Sequence, residues 1–224
     1  MARSTKTEMQ AEATGEARRG RGRPQARSDE ETRAIILEAA RKEFSSSGYA
    51  ITSMDAVARR AGVSTKTLYR LIPNKAALFE GMITERIDRF ASVVRLRGCD
   101  GRDIETALRD ALMVCGELIL DPDVISLQRV ILGESDKFPE IAGTFYHKAI
   151  MRTQSTLASW LQAQHERGLI AVDDADASAG MLLGMLAFQP MRAVLFGHAP
   201  APNRKQLAQR AEVCAKLFLQ GCAR

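Results

Sequence analysis

Thr65, Lys66, Thr67, Tyr69 and Arg70 fall in one short run, TKTLYR, with Ser64 just before it and Lys75 just after. Together they offer hydroxyls, an ammonium, a guanidinium and two threonine methyl groups. On one helical face such a set suits the floor of the major groove. Lysine can donate to guanine O6 and N7, a threonine methyl can meet a thymine methyl, and a tyrosine hydroxyl can donate to a phosphate. This is recognition chemistry and needs no cofactor. The plainer reading is a helical hairpin whose outer face is merely solvated.

The surrounding residues favour the first reading. In TSMDAVARRAGVSTKTLYRLIPNK (52–75), Val57, Ala58, Ala61, Val63, Leu68 and Leu71 are apolar at the spacing of two short helices packed steeply. Ala58 is small where the backbones approach. Gly62 sits where the inter-helix turn needs positive φ. The first of these helices is expected to begin at Thr52-Ser53, with Thr52 and Asp55 laid out as a capping box. Ser64 is expected to cap the second helix, and Pro73-Asn74 to end it and cap the next.

Charge points to the same end of the chain. Residues 1–80 hold fifteen Lys and Arg against ten Asp and Glu, and residues 81–224 hold seventeen of each. The whole net charge of +5 therefore lies where a phosphate backbone would be met. Residues 1–28 lack a periodic apolar face and read as a disordered basic arm. Within it RRGRGRP (18–24) places Arg21 and Arg23 between glycines, suited to a narrow minor groove or to phosphates, or else to a simple solubilising tail.

With 46% hydrophobic residues a substantial core is available, and a 5% aromatic share with abundant Leu, Ala, Met, Glu and Arg favours helix throughout. The expected architecture is all-α: a three-helix head at 29–80, then a larger helical bundle at 81–224. Helix one is expected over 29–46, with Gly48 as its stop. The helix after Lys75 is expected to join head to bundle. Residues 97–102 read as a loop. Ile104, Leu108, Leu112 and Cys115 share one face. From 141 to 166 the inward candidates are Phe145, Ala149, Thr156 and Trp160, and Gly168 ends the stretch.

The last two helices, within 175–221, carry more apolar surface than one bundle needs. Ala177, Gly180 and Gly184 are small enough for close helix approach. Core packing explains this, and so does a homodimer interface, which would pair two heads across two half-sites.

Other function classes find no support. His147, His165 and His198 have no partner motif, and GxSxG, Walker and HExxH signatures are missing. The four cysteines (Cys99, Cys115, Cys214, Cys222) show no metal spacing. They read as reduced core thiols, with a Cys99–Cys115 redox pair as the alternative. No cofactor, metal or catalytic set is expected. No apolar leader and no run near the ~20 residues of a membrane span is expected either, so the location is read as cytoplasmic.

These residues carry a resemblance. Residues 31–83, ETRAIILEAARKEFSSSGY followed by TSMDAVARRAGVSTKTLYRLIPNKAALF, resemble the DNA-binding domain of the TetR (tetracycline repressor) family. Leu71-Ile72 departs from the aromatic pair more usual there, with apolar character kept. Val124–Ile150 is similar to the C-terminal domain of an AefR-like branch. The resemblance implies groove contacts from Thr65, Lys66 and Thr67, phosphate contacts from Thr52, Ser64, Tyr69 and Lys75, and either from Arg70. It further implies a dimer whose C-terminal helices enclose a small apolar or amphipathic effector, so that the chain represses from a palindromic operator. An architectural DNA-binding protein that docks a protein partner is the alternative, and it would show a filled core and an exposed apolar patch where a regulator shows a closed apolar cavity within residues 100–200.

Overall fold

The computed structural model describes residues 27–96 and 103–221, and the arm residues Arg21 and Arg23, the loop at 97–102, Cys99 and Cys222 lie outside them. The described residues form helices α1 (Asp29–Ile51), α2 (Met54–Ala61), α3 (Thr65–Leu71), α4 (Lys75–Leu96), α5 (Ile104–Ile119), α6 (Pro122–Glu134), α7 (Pro139–Phe145), α8 (Met151–Glu166), α9 (Ala175–Leu195) and α10 (Arg204–Gly221). A π-helical turn, Tyr146–Ile150, links α7 to α8. The all-α class expected from composition is the fold observed.

Helix α1 starts where its sequence directs. Ser28 Oγ accepts the Glu31 N–H at 3.1 Å and Glu31 Oε2 accepts the Ser28 N–H at 2.8 Å, a reciprocal capping box. Its regular part ends at Gly48, whose φ of 80° and ψ of 170° break the helix. A last short turn then carries the chain to Ile51, beyond the expected end at Ser46. Helix α2 is capped by Ser53, which accepts the Ala56 N–H at 3.1 Å, and not by Thr52. Thr52 is buried, and its hydroxyl donates back to Gly48 O at 2.6 Å. The capping box read at Thr52 and Asp55 is therefore corrected by one residue. The kink at Gly48 turns Thr52 inward and leaves Ser53 extended at the helix start.

Two buried clusters organise the chain. One joins Ile36, Phe44, Val57, Leu68 and Ile72 of the head to Leu78, Phe79, Ile83 and Ile87 of α4, and it also takes in Leu127, Ile131, Ile141 and Phe145. The other packs Phe90 and Val94 of α4 with α5, α8, α9 and α10 around Leu112, Leu161, Leu182 and Ala211. Helix α4 therefore runs from one core into the other, and α6 and α7 are built into the head's own core. Phe138, in the α6–α7 link, stacks edge-on against Tyr49 at 5.2 Å, and Tyr49 in turn packs on Phe44 and Phe79. Apolar surface shared in this way couples the head to the bundle.

Within the bundle the small residue that permits close approach is Gly116 on α5, where a Cβ would come within 2.5 Å of Leu207 on α10. Gly184 on α9 has nothing within 4 Å of such a Cβ, so it opens onto space instead of a neighbouring helix. On α8 the buried threonine is Thr153 and not Thr156, which is half-buried and donates to Arg152 O at 2.8 Å. Helix α9 also corrects an expectation. Its 21 residues, which include an 18-residue window of mean hydropathy 1.2, are long and apolar enough to span a bilayer by length and composition alone.

Candidate nucleic-acid interface and adjoining cavity

Helices α2 and α3 meet at Gly62, whose φ of 67° and ψ of 34° lie in the left-handed region. The Val63 N–H closes back on Ala58 O at 3.0 Å and the Gly62 N–H on Arg59 O at 3.2 Å. These bonds satisfy the last carbonyls of α2 and set the angle at which α3 leaves. Ser64 caps α3 by accepting the Thr67 N–H at 3.0 Å. Leu68 is fully buried beneath it and pins the opposite face of the helix outward.

The outer face is uneven in what it has to offer. Lys66 is exposed and has no hydrogen bond or ion pair with any described residue. Thr65 donates to Asp55 Oδ1 at 3.1 Å, and the Thr67 hydroxyl sits 2.8 Å from Ser64 Oγ. Tyr69 is 49% exposed. The Arg70 guanidinium grips both oxygens of Asp29 at 2.6 and 2.7 Å, tying α3 to the first residue of α1. That carboxylate raises the Arg70 pKa, and Arg70 holds the Asp29 carboxyl below its ordinary range.

Two residues expected at phosphates stand differently. Thr52 is 3% exposed with its hydroxyl committed to Gly48 O, so its side chain does not lie on the surface, and Ser53 beside it does. Lys75 lies 4.6 Å over the Tyr49 ring and donates to Ala50 O at 3.1 Å. Partial burial lowers its pKa, opposed by the nearby Glu134 carboxylate. Its ammonium thus serves the α1 terminus in the protein without DNA. The expectation that Pro73-Asn74 links α3 to α4 is met, with Asn74 Oδ1 accepting the Ala77 N–H at 2.8 Å.

Beyond this link lies a cavity of about 300 Å³, expected among the C-terminal helices and here lined from α1 and α4 as well. Its wall is mostly apolar, with Ile83 and Ile87 from α4, Leu118 from α5, Leu127 from α6, Phe145 from α7 and Leu183 from α9. Gly180 and Gly184 open its α9 side. Arg41, Arg86 and Asp123 are its charged members. The family resemblance implied such a pocket among the C-terminal helices, whereas Gly180 and Gly184 read in the sequence only as small residues for close helix approach. Among the described residues no group of His, Cys, Asp and Glu is placed to hold a metal ion.

Comparison with known proteins agrees with this geometry. The profile described as bacterial regulatory proteins, tetR family, matches residues 36–82. That of the AefR-like transcriptional repressor C-terminal domain matches residues 106–221. The chain is 28% identical over 166 residues to the HTH-type transcriptional repressor ComR of Escherichia coli, covering 72% of this chain and 77% of that one. Its fold resembles a TetR-family transcriptional regulator from Mesorhizobium loti at a TM-score of 0.75 and 27% identity, covering 88% of this chain and 98% of that one. It also resembles the flavonoid-responsive regulator FrrA at a TM-score of 0.66 and 26% identity, covering 86% and 97%. A capped helix-turn-helix head, continuous through α4 with an AefR-like helical bundle, thus makes this chain a transcriptional regulator and not an enzyme, and it belongs to the TetR family.

Proposed function

We propose that the protein acts as a homodimeric repressor that holds a palindromic operator and releases it when a small apolar or amphipathic molecule enters the cavity. The observation that carries this reading is the shared wall. Met82, Ile83 and Ile87 line the cavity from α4, the helix that follows the recognition helix after a three-residue link. A ligand that prefers one α4 position changes the spacing of the two heads. Differential affinity of that kind shifts the population off DNA, and a coupling of about 1–3 kcal/mol amounts to a 5–150-fold change in affinity. Two α3 helices would enter successive major grooves about 34 Å apart.

Thr65, Lys66 and Thr67 are the residues we assign to the groove, and Ser64, Tyr69 and Arg70 those assigned to its edges. The basic arm with Arg21 and Arg23, together with Lys75, supplies further phosphate contacts. Dimerisation through α9 and α10 is supported by their exposed apolar rows, Met181, Met185 and Phe188 on α9 and Val213 and Leu217 on α10. The same rows suit a protein partner, which is the architectural reading, but that reading expects a filled core and the cavity speaks against it. Such a repressor works in the cytoplasm, where its operator is.

Selection of bound duplexes from a random pool tests the reading. An inverted repeat bound by two chains is the expected product. Enrichment of single, unrepeated sites by a monomer overturns it.

A further inference from the structure

The charged members of the cavity wall say what kind of molecule it takes. Arg41, Arg86 and Asp123 are its charged residues, Gln128, Thr153 and Gln154 its other polar ones, and the rest of the wall is apolar. Arg41 is heavily committed. It donates through Nε and Nη2 to the Glu38 carboxylate at 2.9 and 2.6 Å and pairs through Nη1 with Asp123. Arg86 is not. Among the described residues its one ion pair is Nη2 to Asp121 Oδ2 at 2.8 Å. A guanidinium has five N–H donors in a rigid fork, so most of the Arg86 donors are uncommitted to any described residue.

Arg86 also lies on a boundary. Arg41, Arg86, Met82, Leu118 and Asp123 border both the apolar cavity and a second, more polar one of about 490 Å³ that holds Glu38, Arg89 and Asp121. The acidic residues Glu38, Glu85, Glu117 and Asp121 line that polar side and are not part of the apolar wall, and of these Glu38 pairs with Arg41 and Asp121 with Arg86. Seen from the apolar cavity, the local balance is two cations against one anion. Unused donors at the rim of a mostly apolar cavity suit an acceptor, and a carboxylate matches the fork in two parallel bonds.

Resting on the effector reading above, the geometry points to a ligand with an apolar tail and one carboxylate, the tail in the cavity and the carboxylate on Arg86. Arg86 is then the residue that selects the headgroup. The bound carboxylate shares a wall with Asp123, and repulsion between them loosens Asp123 from Arg41. That ion pair ties α6 to α1, so headgroup recognition acts on the contact between bundle and head.

Isothermal titration of the full-length protein with decanoate, 1-decanol and decyltrimethylammonium tests this. Decanoate is expected to bind at least tenfold more tightly than the alcohol, and the cation more weakly than either. Arg86→Gln should bring acid and alcohol to parity while alcohol binding persists. Asp121→Asn keeps an N-cap for α6 and frees the same guanidinium, so it should strengthen decanoate binding, a gain that a merely structural Arg86 does not give. Arg89→Gln should leave the preference intact. Equal binding of acid and alcohol by the parent protein overturns the headgroup assignment and leaves the cavity as a ligand site. A preference that survives Arg86→Gln overturns it too. Binding of none of the three probes overturns it as well, and release of the operator by an uncharged compound would then show that the effector reading itself still stands.

Discussion

Gly48 and Glu134 meet where head and bundle join. A Cβ on Gly48 would stand 2.5 Å from Glu134 Oε1, while Glu134 Oε2 accepts the Ala50 N–H at 2.7 Å. The last residue of α6 thus reaches across to the kinked end of α1. Gly48 is needed there twice over. Its φ of 80° with ψ of 170° is a backbone region that only glycine occupies readily, and any side chain there would have to displace the Glu134 carboxylate from its bond to Ala50. Gly48→Ala is expected to lower stability by about 1–3 kcal/mol in urea denaturation followed by helical signal. Adding Glu134→Ala removes the clash and not the strained φ, so the double variant should stay below the parent. Full recovery would show that sterics alone demand the glycine.

Lys66 is exposed and free of intramolecular partners among the described residues, so Lys66→Ala should leave the melting temperature unchanged. Operator affinity should fall by roughly 1–3 kcal/mol if the contact is bidentate to a base, with preference relaxed at one position. An equal loss on all sequences would mean that Lys66 meets only phosphate.

Arg70 is already paired with Asp29 on both oxygens. A phosphate contact from Arg70 therefore competes with that carboxylate. Asp29→Asn is expected to raise affinity for DNA at low salt, with a steeper salt dependence as one more cation becomes available. Affinity measured across a salt series that does not move would place Arg70 away from the duplex.

Gly184 opens onto the cavity with nothing near its missing Cβ. Gly184→Leu should fill that space while operator binding is kept, and it should replace a poor helix former by a good one, worth about 0.8 kcal/mol. The expected phenotype is a protein that holds its operator and no longer responds to effector. A response of unchanged amplitude in a release assay would put the effector elsewhere.

Cys115 is fully buried, and burial pushes its thiol from 9.0 up to about 12. Above pH 9 the unfolded chain loses this proton and the folded one keeps it, so stability falls as pH rises from about 9 towards 12. Cys115→Ala should flatten that alkaline slope. Alkylation mapped by mass spectrometry at neutral pH should leave Cys115 unmodified until the chain unfolds. Prompt labelling would restore the redox reading of this residue, which the burial opposes.

Leu217 and Phe188 are each 56% exposed in the single chain, on the two helices we assign to the dimer. Introducing charge at both, as Phe188→Glu with Leu217→Glu, is expected to yield monomers in sedimentation and to weaken operator binding through lost pairing of heads. Dimers that persist would move the interface to another face.

Local chemistry was legible in the sequence because it is written in near neighbours. The Ser64 and Asn74 caps, the turn at Gly62 and the apolar face of α3 involve residues a few positions apart. That the last two helices fall within 175–221 followed from the same short-range patterning. Thr52 shows where such reading stops. Its type suited a cap, but the positive φ of Gly48 rotates it into the core and passes the cap to Ser53. Lys75 shows the same limit, since its place over Tyr49 depends on how α4 returns against α1.

By itself the sequence determined an all-helical chain with a basic helix-turn-helix head, because periodicity, capping and charge are properties of the chain order, and its resemblance to the TetR family carried the regulator reading. Tertiary structure alone decided the rest. It drew Leu127, Ile131 and Phe145 into the head's core, bonded Glu134 to Ala50 and Asp123 to Arg41, and left a cavity between α4, α6 and α9. These contacts join residues dozens of positions apart, and a void is set by how packed helices fail to meet. No local pattern encodes either one.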